Sequence, residues 1–135
     1  QSDPAISGHV VVWTDQRSDL GDIYGADISD PNNIREFEVY VGSGSQSQPD
    51  IDGNFVAFVY GMDTGQVELL CLSRDYGPVM VNLPYVGSIF LYGSRPRLDG
   101  STLVWQEYDQ VYGLPFDFSY GLTDGPVQNL TTGSH

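Results

Sequence analysis

Asp15, Asp19 and Asp22 share one polar stretch near the start of the chain, and carboxylates grouped in this way suit metal chemistry. A calcium ion takes about six to eight oxygen ligands, so three such side chains plus nearby carbonyls could hold one. Their spacing is not the alternating Asp pattern of a calcium loop. Arg17 in the same stretch can also pair with an acid, so solvated loop acids are the competing reading. No Cys/His set supports zinc. Cys71 is the sole cysteine and sits in the apolar run Val67–Leu72, which reads as a buried small residue. No cofactor is expected, with calcium left open.

Nucleophilic catalysis needs a histidine held beside a serine or cysteine. His9 lies beside a turn and His135 is the last residue, and neither carries a motif around it. Paired carboxylates could cleave glycosides. Yet Asp52, Asp99 and Asp124 each precede glycine, and Asp30 precedes Pro31, positions that turns explain. The residues thus point away from an enzyme. Asn129-Leu130-Thr131 satisfies the N-glycan acceptor pattern. Tyr60, Tyr108 and Tyr120 fall in or near loops, where they could meet a ligand.

Eighteen acids face five bases, all arginine, for a net charge of −13. Such a surface repels phosphate backbones and anionic headgroups, which excludes nucleic acid as a natural partner. No run approaches the ~20 apolar residues of a membrane span. Sixteen glycines and eight prolines spread along 135 residues imply many short strands joined by tight turns. The chain opens at Gln1 and has no signal peptide, as expected of a processed or excised product.

The elements repeat. Pro4-Ala5-Ile6-Ser7-Gly8, Pro49-Asp50-Ile51-Asp52-Gly53 and Pro96-Arg97-Leu98-Asp99-Gly100 align, and each leads into an apolar strand ending at Trp13, Phe58 or Trp105. A second block follows in register: Gly21–Ile28, Gly65–Leu72 and Asp109–Phe116. An outer strand is visible where Phe37, Val39 and Val41 alternate with Glu36, Glu38 and Tyr40, and Val79–Leu83 and Val127–Leu130 are its counterparts. Four strands per roughly 45 residues is the period of a propeller blade. The expected fold is therefore all-β, a β-propeller segment of three four-stranded antiparallel blades over residues 1–48, 49–95 and 96–135. Trp13, Phe58 and Trp105 share one column and should pack between adjacent blades.

The Pro-x-Ile-x-Gly opening, Val11-Val12-Trp13, Asp15-Gln16-Arg17 and Asp22-Ile23-Tyr24 resemble the TolB-like propeller repeats and related repeats of archaeal and bacterial surface proteins. The first copy matches best. The second lacks the Asp-x-Arg and Asp-Ile-Tyr elements, and the third keeps Leu98-Asp99-Gly100, Val104-Trp105 and Val111-Tyr112. The resemblance implies a propeller fold and an extracellular, cell-surface or periplasmic setting, but little about activity.

Closed propellers need about four to eight blades, so three leave two open faces. The ring must be completed by further chain or by self-association, as a closed ring or a filament. Thr131–His135 followed by Gln1–Pro4 would read like the internal join Gly42–Pro49, although the Gly-Ser-His end also fits a tag remnant. One segment breaks the repeat: Tyr85, Val86, Ile89, Phe90, Leu91 and Tyr92 crowd an insertion. It would either tuck over its own blade or form a subunit contact, since Tyr and Phe anchor interfaces. The function expected is a non-catalytic scaffold that assembles with copies of itself or presents loops to a surface partner. The alternative is a lectin-like or calcium-dependent binding module with a glycan or protein partner, and a glycoside-active enzyme ranks third.

Overall fold

A computed structural model describes residues 1–17, 20–61, 65–72, 79–81, 93–117, 122–123 and 128–131. Among these residues the chain is all-β. Strands β1 (Ser2–Ser7), β2 (Val10–Asp15), β3 (Asp22–Asp27) and β4 (Arg35–Tyr40) form one antiparallel sheet in chain order. Strands β5 (Gln46–Asp52), β6 (Phe55–Tyr60), β7 (Gln66–Cys71) and β8 (Val79–Val81) form a second in the same way. The third holds β9 (Ser94–Asp99), β10 (Thr102–Glu107) and β11 (Gln110–Asp117), with β12 (Leu122–Thr123) and β13 (Gln128–Asn129) both paired to β11.

That third sheet has five strands where four were expected. The reason is the length of β11, whose near end pairs Tyr112 and Gly113 with β13 while its far end pairs Phe116 and Asp117 with β12. None of the three sheets closes on itself.

The repeat is written into the backbone as well as the sequence. Gly8, Gly53 and Gly100 take φ of 59°, 60° and 62° at the first central position of their two-residue hairpins, the position where a type II′ turn demands glycine. Asp3, Gln48 and Arg95 take φ of 52°, 55° and 52°, each just before a proline. At all three the register of the inner hairpin shifts, so each is a bulge that bends the strand. A non-glycine residue at positive φ is costly. Three at one column show that the fold, and not a local accident, imposes it.

Side chains of successive sheets interlock. Val12, Ile23 and Val39 of the first sheet meet Ile51, Val56, Phe58 and Leu70 of the second. On the other side Ala57, Val67, Leu69 and Cys71 meet Leu103, Trp105 and Leu114 of the third. Strand β6 thus buries both faces, which is why it reads as the unbroken run Phe55-Val56-Ala57-Phe58-Val59 instead of alternating. Each large apolar side chain so buried contributes about 1.5–3 kcal/mol. Cys71 lies inside this second seam, and burial pushes its thiol pKa up, which leaves it unreactive.

Candidate functional site

Two hydrogen-bond positions recur in both seams. Gln46 N–H donates to Gly21 O at 2.9 Å, and Gly93 N–H to Gly65 O at 2.8 Å. At the hairpin tips Gly53 N–H donates to Ser7 Oγ at 2.9 Å and Gly100 N–H to Asp52 Oδ2 at 2.5 Å. Asp52 precedes a turn glycine, yet its carboxylate serves the next sheet. That role was not read from the sequence, although the aligned Ser7, Asp52 and Asp99 column carried the signal.

Phe58 and Trp105 of the shared column point the same way, each toward the preceding sheet. Phe58 is fully buried against the first sheet, with its ring 5.3 Å from Tyr40, and Trp105 is buried against the second, stacked on Tyr112 at 6.0 Å. Trp13 occupies the same column but is only half-buried, because no described sheet packs on that side of its own. Among the described residues no second sheet lies against it, whereas Phe58 and Trp105 each pack on one. Beside it on this open face lie Val11, half-buried, and Ile6, 60% exposed.

The outer half of that face is roofed by its own charges. The Arg17 guanidinium lies 4.1 Å from the Tyr24 ring centroid and bridges Asp15 at 2.7 Å and Glu36 at 2.5 Å. Trp13 Nε1–H donates to the same Asp15 carboxylate at 3.0 Å. The Arg17 hydrogen bond, with the indole bond second, holds the Asp15 pKa far below the ordinary carboxylate range. The stability it supplies is therefore complete above the unfolded carboxyl value of about 3.9 and is lost as pH falls below it. Asp15→Asn should melt below the wild type at pH 7, and the gap should narrow from pH 4 toward pH 2. A gap independent of pH would show that the charge of Asp15 is not what matters.

Asp22 faces Asp15 across the β2–β3 ladder, but the two carboxylates do different work. Asp22 Oδ1 accepts the Gly42 N–H at 3.1 Å, while its Oδ2 is buried without a partner, as is Gln46 Oε1. Asp19, the third calcium candidate, lies outside the described residues. No group of three metal-binding side chains occurs among the described residues. The insertion residues Tyr85, Val86, Ile89, Phe90, Leu91 and Tyr92 also lie outside them, as do Tyr120, Asp124 and His135.

The other candidates are dispersed. His9 sits in the first hairpin turn, and its carbonyl accepts the Ile28 N–H at 2.9 Å. Tyr60 packs against the first seam, whereas Tyr108 is 92% exposed at a hairpin tip. Asn129 is half-buried on β13: its Nδ2 donates to Gln110 Oε1, and its Oδ1 accepts from Thr131 N at 2.9 Å and Thr131 Oγ1 at 2.7 Å. A glycan on Nδ2 would compete with the Gln110 bond.

The far face of the third sheet repeats the first seam. Val104 stands in the Val12 column, and Leu130 lies over Gly113 much as Phe37 lies over Gly25. A Cβ on Gly25 would come within 2.9 Å of the Phe37 ring, and one on Gly113 within 3.1 Å of Leu130. In the first sheet these positions help cover Phe58. In the third, Val104 is half-buried and Leu130 is exposed.

A cleft of about 660 Å³ opens where the bulges of the inner strands converge. Asp3, Pro4, Ser47, Gln48, Pro49, Ser94, Arg95 and Arg97 line it. No family of known proteins matches the chain, and no curated protein matches it.

Proposed function

We propose that the chain is a non-catalytic scaffold, its three sheets successive blades of a β-propeller of the TolB-like kind, and that its two outer faces join copies of the chain head to tail. Ring or filament then depends on whether the rotation per copy closes. The setting that goes with this reading is extracellular or at the cell surface. The observation that carries it is the half-exposed Trp13, which holds the column that Phe58 and Trp105 bury against the preceding sheet. Its complement is the face of Val104 and Leu130, which repeats the surface that receives Phe58. A second copy fits this gap better than any unrelated partner, because the chain already makes the same seam twice.

The seam also specifies its register. Ser7 accepts from Gly53 and Asp52 from Gly100, so Asp99 should accept from Gly8 N–H of the next copy. Sedimentation equilibrium tests this. Asp99→Ala should weaken association about 10–100-fold, the loss of a hydrogen bond to a charged acceptor. Asp99→Ser should restore most of it, since Ser7 does the same work in the first seam. An assembled wild type with an equally assembled Asp99→Ala variant would refute the register. A wild type that stays at 14.8 kDa would refute assembly itself.

Glycan binding is the second reading, favoured by the cleft and its polar lining. It and assembly are not exclusive.

A further inference from the structure

We propose that the cleft between the inner strands binds a carboxylate-bearing sugar, with Arg95 and Arg97 clasping the carboxylate; this deepens the glycan-binding reading and does not depend on assembly. The chain has only five basic residues, and two of them line this one cleft. The other described arginines are used up in ion pairs: Arg17 with Asp15 and Glu36, and Arg35 with Asp27 at 3.2 Å. Arg97 reaches Asp50 only at 4.0 Å and is 66% exposed. The Arg95 side chain is exposed and pairs with no acid among the described residues. Cohesion uses Arg97 only through this long ion pair, which leaves its exposed fork free to take a second partner, and no ion pair holds Arg95 among the described residues. Two guanidinium groups lining one cleft offer the planar donor forks that a carboxylate takes.

The scaffold holds these groups in place. Arg95 sits at positive φ in the bulge, and its N–H donates to Gln48 Oε1 at 2.8 Å. That bond turns the amide nitrogen of Gln48 to be the free end, a donor for a ring hydroxyl. Ser47 and Ser94 add hydroxyls, and Asp3 supplies a carboxylate acceptor. Pro4 and Pro49 give an apolar wall for the C–H face of a sugar ring. Small-ligand sites run from about 300 to 1,000 Å³, so the cleft suits one or two sugar rings. Two cation positions, one acid and several hydroxyls suit an acidic sugar better than a bare anion, which would meet Asp3 as a repulsive neighbour.

The repeat provides variants that the backbone already accepts. Gln48 stands in the Arg95 column at φ 55°, and Ala5 stands in the Arg97 column, so Arg95→Gln and Arg97→Ala should fold. Calorimetric titration with glucuronate should give saturable binding, at least about tenfold tighter than with glucose. Each variant should lose about tenfold or more of the glucuronate affinity while its melting temperature stays put. The net charge of −13 discourages stray anion uptake, so saturation reports a local site. Absence of saturable glucuronate binding would overturn the proposal. Acetate or inorganic phosphate binding as tightly as glucuronate would mark a plain anion site and overturn the sugar. Glucose binding as tightly as glucuronate would overturn the arginine clasp while leaving a glycan site standing.

Discussion

Trp13→Glu should yield a folded chain that sediments at 14.8 kDa under conditions where the proposed assembly makes the wild type at least twice as heavy. The side chain is half-buried on an open face, so the monomer loses the indole bond to Asp15 and some stability but none of the packed core between sheets, and should still fold. In a head-to-tail seam the same position would be closed over by Val104 and Leu130 of the next copy. A carboxylate placed there would be buried with no cation near it but Arg17, which Asp15 and Glu36 already hold, and burying a charge so poorly paired is costly at an interface. Charge repulsion adds to it, since Glu36 and Glu38 stand on the same face across the ladder from Ala26 and Tyr24. Circular dichroism should show the same strand content for both proteins. An assembly of unchanged mass in the Trp13→Glu variant would remove this face from the proposed contact.

Phe58→Ala should have the opposite signature, a loss of fold and not only of association. Phe58 is wholly buried between the first two sheets and packs on Tyr40. Emptying such a site costs about 3–5 kcal/mol, against a total stability of about 5–15 kcal/mol for a domain of ordinary size. The urea midpoint should fall by roughly 1–3 M at the slopes usual for small proteins. The measurement belongs at low protein concentration, because self-association would stabilise the folded state by mass action. Phe58→Leu should recover most of the loss. A midpoint shift below about 0.3 M for Phe58→Ala would mean that its ring does not hold the two sheets together.

Comparing the two variants isolates the physics of one column. Trp13, Phe58 and Trp105 occupy equivalent strand positions, and only the presence or absence of a preceding sheet distinguishes them. The spacing of the three aromatics and of the Pro-to-Gly openings was legible in the sequence, as were the hairpins at Gly8, Gly53 and Gly100. The third sheet was less so, because the extra length of β11 that recruits both β12 and β13 leaves no mark in the repeat. The site was legible only in part. Asp15 and Asp22 stood out as possible metal ligands, but Asp15 is taken by Arg17 and Trp13, while one oxygen of Asp22 is taken by the Gly42 amide. Arg95 and Arg97 drew no notice, since nothing local in Ser94-Arg95-Pro96-Arg97 shows that three bulges meet.

Local chemistry determined the elements by itself: glycines that can take positive φ placed the turns, and apolar strands of fixed period placed the columns. Those choices depend on a residue and its near neighbours, so they can be read along the chain. Which face of each strand is buried, which acid reaches the next sheet, and which arginines converge on a cleft depend on contacts between residues about 45 positions apart. Those were decided only when the sheets packed, because the interlocking of one sheet with the next sets the direction of every side chain between them.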